Sequence, residues 1–156
     1  MSADASDELT IIRVLDAQRD QVWRACRQPE ALRHWWGMPE GAVMPVCEVD
    51  FRVGGTLHFA TRRGERPLMW FKCIYLEIVE GERLVLEQHR SDEQGSELDS
   101  VEWPASTITL RLEDADGKTR LTVVHAGIVS PRATIEDYRQ GWSETLDRLA
   151  DCLTHR

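Results

Sequence analysis

Histidine side chains are the groups in this sequence best suited to proton transfer near neutral pH. The chain has five of them, which are His34, His58, His89, His125 and His155. They fall on different predicted elements, and no HExxH or other metal-ligand spacing occurs. We therefore predict no metal site and no cofactor. His125 alternates with Leu121 and Val123 and should face inward, where it either forms hydrogen bonds within the core or contacts a polar group of a ligand.

Nucleophilic catalysis has no candidate residue in the sequence. The GxSxG, Walker, Rossmann and Cys-His signatures do not occur. The four cysteines contain no CxxC pair and are predicted to be small core residues, namely Cys26, Cys47, Cys73 and Cys152. We predict no catalytic residue, and an enzyme would have only His125 and Tyr75 to move a proton near a bound carbonyl.

Three tryptophans occupy positions where they could shape a cavity. Trp35 and Trp36 end a predicted helix, where one indole could line a cavity entrance or both could pack the helix onto a sheet. Trp142 follows Gly141 within the terminal helix, and it too could be either a core residue or a cavity residue. A glycine inside a helix costs about 1 kcal/mol relative to alanine. Close approach of a strand or a ligand would explain why Gly141 is tolerated.

Hydrophobic periodicity and turn residues predict the elements that position these side chains. A strand at 9–15 is followed by two short helices, at 19–28 and 29–36. Six further strands are predicted as a meander, at 46–51, 56–61, 67–79, 84–88, 106–112 and 120–125. The pair Asp116-Gly117 predicts a tight hairpin before the last of them. A long amphipathic helix ends the chain, with apolar positions at Ile135, Tyr138, Trp142, Leu146, Leu149 and Leu153.

This order of elements is typical of an α+β fold with one curled antiparallel sheet. A cavity remains if the sheet and the terminal helix separate at one end. Phe51 should face inward together with Leu57 and Phe59, whereas strand 67–79 is apolar on both sides and its faces cannot be assigned. The residues predicted to line the cavity are Trp36, Phe51, Phe59, Trp70, His125, Tyr138, Trp142 and Leu146.

Length and charge limit the possible partners. The 156 residues suit a single domain over 1–156, with residues 1–7 disordered and 90–104 forming a mobile loop. A net charge of -8 disfavours binding to nucleic acid or to an anionic membrane surface. No apolar run approaches the roughly 20 residues of a membrane-spanning helix, and the start of the chain lacks a secretory signal. We therefore predict a cytoplasmic protein, either a monomer or a homodimer.

Five segments resemble the helix-grip (START/SRPBCC) superfamily, which includes START lipid-binding domains, birch-pollen-allergen proteins and polyketide cyclases. They are VWRACRQPEALRHWWG, CEVDFRVGGTLHF, YLEIVEGERLV, KTRLTVVHAG and GWSETLDRLADCL. Within the superfamily, the chain is most similar to the family named for activators of the heat-shock-protein-90 ATPase. The resemblance implies a helix-grip fold, with about seven antiparallel strands curled around a long C-terminal helix and two short helices after the first strand.

Three functions are compatible with these observations. The first is non-enzymatic binding of a small, largely apolar ligand between the sheet and the terminal helix, as a carrier or sensor. The second, implied by the family resemblance, is a protein-interaction module whose partner is a chaperone. The third is a cyclase- or aromatase-like enzyme, which would need polar groups placed inside the cavity.

Overall fold

The structure, a computed structural model, describes residues 8–37 and 40–154. In chain order its elements are β1 (Glu8–Leu15), α1 (Arg19–Arg27), α2 (Pro29–Trp35), β2 (Ala42–Val49), β3 (Thr56–Arg63), β4 (Met69–Val79), β5 (Arg83–Ser91), β6 (Ser106–Ala115), β7 (Lys118–Ala126) and α3 (Ile135–Thr154). The predicted α+β, helix-grip order of one strand, two short helices, six strands and a long terminal helix is confirmed. The predicted disorder of residues 1–7 falls outside the described residues, as does His155.

One seven-stranded antiparallel sheet contains all the described strands, in the order β1-β7-β6-β5-β4-β3-β2. Each strand from β2 to β7 pairs with the next along the chain, as the predicted meander requires. β1 pairs with β7, which places Leu9 opposite His125 and Leu15 opposite Thr119. The sheet curls into a half-barrel, and the long helix α3 packs within this curl.

Alternation along the strands gives the sheet an apolar concave face. The buried side chains of β6 and β7 on this face are Ser106, Ile108, Leu110, Leu112, Thr119, Leu121, Val123 and His125. On β4, Phe71 lies opposite Phe59 and Cys73 lies opposite Leu57, so Phe71 and Cys73 also point to the concave side. Strand pairing thus assigns the faces of β4, which its own sequence left open.

The same register corrects the prediction that Trp70 is a cavity residue. Trp70 is the strand neighbour of the inward-facing Phe71, so it points to the convex face. There its ring packs on His58, with the ring centroids 5.0 Å apart. Because β4 is apolar on both sides, hydrophobicity alone could not distinguish Trp70 from Phe71.

The two short helices pack together and against the rest of the fold. Pro29 is the first residue of α2, a position where its missing N–H costs no helical hydrogen bond. The buried indole N–H of Trp35 donates to the carbonyl oxygen of Ala25 at 2.9 Å, which joins α2 to α1. α2 also contacts β2 and α3, so it closes one side of the space between the sheet and α3. None of the helices in residues 8–37 and 40–154 is long and apolar enough to cross a bilayer.

Helix α3 begins at a capping box and is fixed to the sheet along its length. The Thr134 N–H donates to Asp137 Oδ2 at 2.8 Å, and the Asp137 N–H donates to Thr134 Oγ1 at 3.0 Å. Its buried side chains are Trp142, Thr145, Leu146, Leu149 and Leu153. On the outer side, Arg13 of β1 forms a 2.8 Å ion pair with Asp147. These contacts hold α3 over the sheet along its whole length.

Candidate ligand-binding site

A cavity of about 360 Å³ lies between the concave face of the sheet and the first half of α3. Its volume is near the lower end of the roughly 300–1,000 Å³ range of small-molecule pockets. Aromatic side chains form much of its wall, namely Trp36, Phe71, Trp103, Tyr138 and Trp142. The sheet contributes polar groups at the same place, among them Ser106 and His125. This combination of apolar walls and a few polar groups is typical of a ligand site.

A second groove, of about 580 Å³, lies among the three helices. Charged side chains line it, including Arg24, Glu30, Arg148 and Asp151, and among the described residues no Phe, Tyr or Trp does. The groove is larger than the concave cavity, but its apolar wall consists of small and aliphatic side chains such as Ala25, Ala31 and Leu153. We therefore take the concave cavity as the candidate site.

A relay of three side chains crosses the cavity wall from α3 to the sheet. The indole Nε1–H of Trp142 donates to His125 Nδ1 at 3.0 Å. The other ring nitrogen of His125, Nε2, lies 2.9 Å from Ser106 Oγ. An indole N–H can only donate, so Nδ1 must be the unprotonated nitrogen of a neutral imidazole. The proton of His125 is therefore on Nε2, which donates to Ser106.

Burial keeps His125 in this neutral form. Desolvation lowers the pKa of His125 to about 4, because the ring lies in the core and no carboxylate contacts it among the described residues. Its faces are covered edge-on by Tyr138 and Trp142, at centroid distances of 5.3 and 6.0 Å. The sequence left two alternatives for His125, an internally bonded histidine or a ligand contact, and the structure shows the internal hydrogen bonds at a position on the cavity wall.

The direction of the relay determines what the cavity offers to a ligand. Since His125 donates to Ser106, it cannot at the same time accept a proton from the Ser106 hydroxyl. Among the described residues Ser106 Oγ has no other side-chain partner, so its hydroxyl proton is available to an acceptor in the cavity. The cavity wall thus presents a hydroxyl donor at Ser106.

Trp142 occupies the centre of this arrangement. Its ring lies 6.0 Å from that of Trp36, edge to face, and Trp36 in turn contacts Trp35 at 5.4 Å. The side chain is only 8% exposed. Trp142 is therefore both a core residue and a cavity residue, which unites the two alternatives left by the sequence.

The outer end of the cavity is formed by residues that the sequence analysis missed. Arg132 lies over the Trp103 ring, with Cζ 3.6 Å from the ring centroid, and its Nη2 donates to the Tyr138 hydroxyl at 2.6 Å. Arg90 lies 5.5 Å from both the Phe71 and Trp103 rings. Trp103 belongs to the polar segment between β5 and β6, where a single tryptophan was the one available signal of a packed position.

The structure brings together half of the predicted cavity residues. Those that line it are Trp36, His125, Tyr138 and Trp142. Two others lie in the core beside the cavity. Phe59 stacks against Phe71, with ring centroids 5.3 Å apart, and Leu146 is fully buried on the inner side of α3. Phe51 packs at the other end of the core, between Trp23 and Tyr75, because β2 ends at Val49 and the chain turns away from the cavity.

Gly141 lines the cavity, but no strand among the described residues approaches it closely. A Cβ atom built at Gly141 meets no described atom within 4 Å outside its chain neighbours and the backbone of its own helix. We therefore expect Gly141→Ala to raise the free energy of unfolding by about 1 kcal/mol, the gain in helix propensity. Urea denaturation would measure the change. Gly55→Ala is the matched control, because its Cβ would collide with the backbone oxygen of Asp50, and a loss of stability in both variants would contradict the open space at Gly141.

A cluster on the convex face contains three groups with metal-ligating atoms, His89, Glu97 and Asp99, whose ligand atoms lie within 4.8 Å of one another. Both ring nitrogens of His89 already face carboxylates, with Nδ1 2.7 Å from Asp99 and Nε2 3.0 Å from Glu87. Burial opposes the charged ring, but these hydrogen bonds outweigh it and raise the pKa of His89. This geometry is that of a protonated imidazole hydrogen-bonded to two carboxylates. The expected absence of a metal site stays a prediction.

The curled sheet, the long helix within it and the cavity between them define a helix-grip protein. The chain matches the family described as "Activator of Hsp90 ATPase homolog 1-like protein" over residues 16–154. It belongs to this family, as the resemblance of the five segments indicated.

Solved structures of bacterial proteins share the fold along nearly the whole chain. Protein CV1439 from Chromobacterium violaceum is 28% identical, with a TM-score of 0.81 over 96% of this chain and 99% of that one. The AHSA1-like protein from Aeromonas hydrophila is 15% identical, with a TM-score of 0.74 over 96% of each chain. CalU16 from Micromonospora echinospora is 22% identical, with a TM-score of 0.65 over 95% of this chain and 76% of that one. No curated protein shows significant similarity to the chain.

Proposed function

We propose that the protein binds a small, mainly apolar molecule in the concave cavity, as a carrier or sensor that leaves the molecule chemically unchanged. The observation that carries this proposal is the cavity of about 360 Å³ between the sheet and α3, walled largely by aromatic rings. Removing about 200 Å² of apolar ligand surface from water would contribute about 5 kcal/mol at roughly 25 cal/mol/Å². Association costs reduce this gain, and micromolar affinity is the expected result.

The relay of Trp142, His125 and Ser106 supports binding over catalysis. A general base must accept a proton, but Nδ1 of His125 is occupied by the Trp142 N–H and Nε2 already carries a proton. The pKa of His125, lowered to about 4 by burial, also makes the ring a weak base. A hydroxyl donor such as Ser106 is suited to orient a carbonyl or hydroxyl oxygen of a bound molecule.

Native mass spectrometry of the purified protein and a thermal-shift screen of apolar and aromatic compounds would test the proposal. We expect retained small molecules or compounds that raise the melting temperature. Met69→Trp should reduce the effect by filling the cavity, since Met69 lines it. Leu76→Trp is the matched control, because Leu76 lies on the same strand, is 46% exposed and does not line the cavity. Absence of any stabilisation across a broad set would argue against the proposal.

Stimulation of a chaperone ATPase is the second candidate function. It is favoured by the family match over residues 16–154, whose description names activators of the Hsp90 ATPase. An ATPase assay with the chaperone from the same organism would decide it. A turnover rate that stays unchanged at saturating protein removes this candidate and leaves the ligand proposal untouched.

A further inference from the structure

We infer that the ligand class is a compact aromatic carboxylate, an inference that rests on the proposed binding function. Its ring system would lie among the aromatic walls of the cavity. Its acid group would lie at the Trp103 end, where Arg90 and Arg132 supply the positive charge. Two observations carry this assignment, the pairing of the charged lining residues and the geometry of the two guanidinium groups.

The charged residues that line the cavity are His89, Arg90, Arg132 and Asp137. The His89 ring points to the convex face, where Glu87 and Asp99 more than offset its charge, so it adds no positive charge to the cavity. Asp137 is engaged at the exposed start of α3, where it accepts the Thr134 N–H and where Arg132 also lowers its pKa. The cavity therefore retains more positive than negative charge.

Neither Arg90 nor Arg132 forms a salt bridge with any described residue. Acidic side chains outnumber basic ones in this chain by 27 to 19, so carboxylates are abundant, yet none lies within salt-bridge distance of these two groups in the described residues. Burial lowers the pKa of Arg90, as expected for a partly desolvated cation without an acid partner. The half-buried guanidinium of Arg90 is unfavourable without a counter-charge until a bound anion supplies one. Arg132 is exposed, and Asp137 is near enough to feel its charge but is not within salt-bridge distance.

Neutral acceptors hold the two guanidinium groups in place. Arg90 Nη1 donates to the Trp70 carbonyl oxygen at 2.7 Å, which leaves its Nε and Nη2 donors without protein partners in the described chain. Arg132 donates from Nε to the Glu102 carbonyl oxygen at 3.2 Å and from Nη2 to the Tyr138 hydroxyl at 2.6 Å. These contacts fix the side chains without neutralising them. Fixed arginines with free donors suit a planar carboxylate, because little rotamer entropy remains to be lost on binding.

The walls beside these arginines select an aromatic body for the ligand. Phe71 and Trp103 lie under the guanidinium groups, and Trp36 and Trp142 meet edge to face further inside. The volume of about 360 Å³ favours a compact ring system over a long acyl chain. The net charge of -8 would repel an anion at long range, so its binding depends on the local arginines.

Isothermal titration of the full chain with 2-naphthoate and 2-naphthamide would test the inference. The two probes share a ring and a shape and differ in charge. We expect naphthoate to bind at least about tenfold more tightly, because a charge-assisted hydrogen bond is stronger than a neutral one. Arg90→Gln and Arg132→Gln should each weaken the binding of naphthoate more than that of naphthamide, so that the ratio of the two dissociation constants moves towards one.

Arg111→Gln is the matched control, since Arg111 is an exposed arginine of β6 on the convex face and its loss changes the net charge equally. It should leave both dissociation constants unchanged. If Arg111→Gln weakened naphthoate binding as much as Arg90→Gln or Arg132→Gln, the net charge of the protein alone would explain the effect, and the inference would be overturned. If Arg90→Gln does not fold by circular dichroism, the exposed Arg132 provides the deciding variant.

The outcomes separate this inference from the function on which it rests. Equal binding of naphthoate and naphthamide overturns the carboxylate assignment and leaves the cavity as a site for neutral apolar molecules. Binding of neither probe, while other apolar compounds stabilise the protein, also overturns the assignment. Absence of binding by every compound tested, including the broad screen, rejects the binding function itself.

Discussion

Replacing Trp142 by alanine is expected to lower the free energy of unfolding by about 3–5 kcal/mol, the usual cost of truncating a buried tryptophan. The side chain is 8% exposed and contacts the rings of Trp36 and His125. Its removal would also leave His125 Nδ1 without its donor in the core. Urea denaturation followed by far-ultraviolet circular dichroism would measure the change.

Two further variants separate ring packing from the hydrogen bond. Trp142→Phe retains an aromatic ring but deletes the N–H, and it should cost about 1–3 kcal/mol because a buried acceptor loses its partner. Trp70→Ala removes the same kind of side chain from the convex face, where Trp70 is half-buried, and should cost less than Trp142→Ala. A loss below about 1 kcal/mol for Trp142→Ala would contradict the packed position described here.

Acidification from pH 6.5 to pH 4 is expected to destabilise the protein through His125 by about 3 kcal/mol. The pKa of His125 is lowered to about 4 in the folded state by desolvation, against an ordinary value near 6.5 in the unfolded chain. Between these values the unfolded state binds more protons, so the free energy of unfolding rises with pH. This contribution is fully present above pH 6.5 and is lost as the pH falls through the window. Denaturant melts at a series of pH values would record it.

The variant His125→Asn isolates this effect. Its amide oxygen can still accept the Trp142 N–H, but the side chain does not titrate. The difference in free energy of unfolding between wild type and variant should change between pH 6.5 and pH 4, where His125 titrates. The contribution of His89 to the pH dependence has the opposite sign. Because its pKa is raised in the folded state, its stabilising effect is lost as the pH rises through that pKa. An identical pH dependence in wild type and His125→Asn would contradict the buried, neutral imidazole.

Local patterns were sufficient to predict the order of elements. The hairpin between β6 and β7 shows why, since Asp116 and Gly117 have φ values of 54° and 82° and supply the two positive φ angles of a type I′ turn. The inward direction of His125 followed from alternation with Leu121 and Val123. Each of these inferences depends on residues close together in the sequence.

The candidate site was only half predictable because its other contacts depend on strand register and on a folded connection. Trp70 and Phe71 are adjacent and both apolar, and only their pairing with β3 shows which one faces α3. Arg90, Trp103 and Arg132 meet in space although they are separated along the chain and lie on a strand end and two connecting segments. Short-range sequence patterns cannot predict tertiary contacts of this kind. The predicted mobility of residues 90–104 stays a prediction, and Arg90 itself belongs to β5.

The relay joins two parts of the fold that could otherwise shift independently. The N–H of Trp142 on α3 donates the hydrogen bond that fixes the tautomer of His125. His125 in turn orients the hydroxyl of Ser106 on β6. If α3 moved away from the sheet, the imidazole would be free to carry its proton on Nδ1, and Ser106 would then donate to the ring instead of to the ligand. Whether Ser106 can donate to a ligand is therefore coupled to the docking of α3 on the sheet. Substitutions far along α3 can then change ligand recognition at positions that do not contact the ligand.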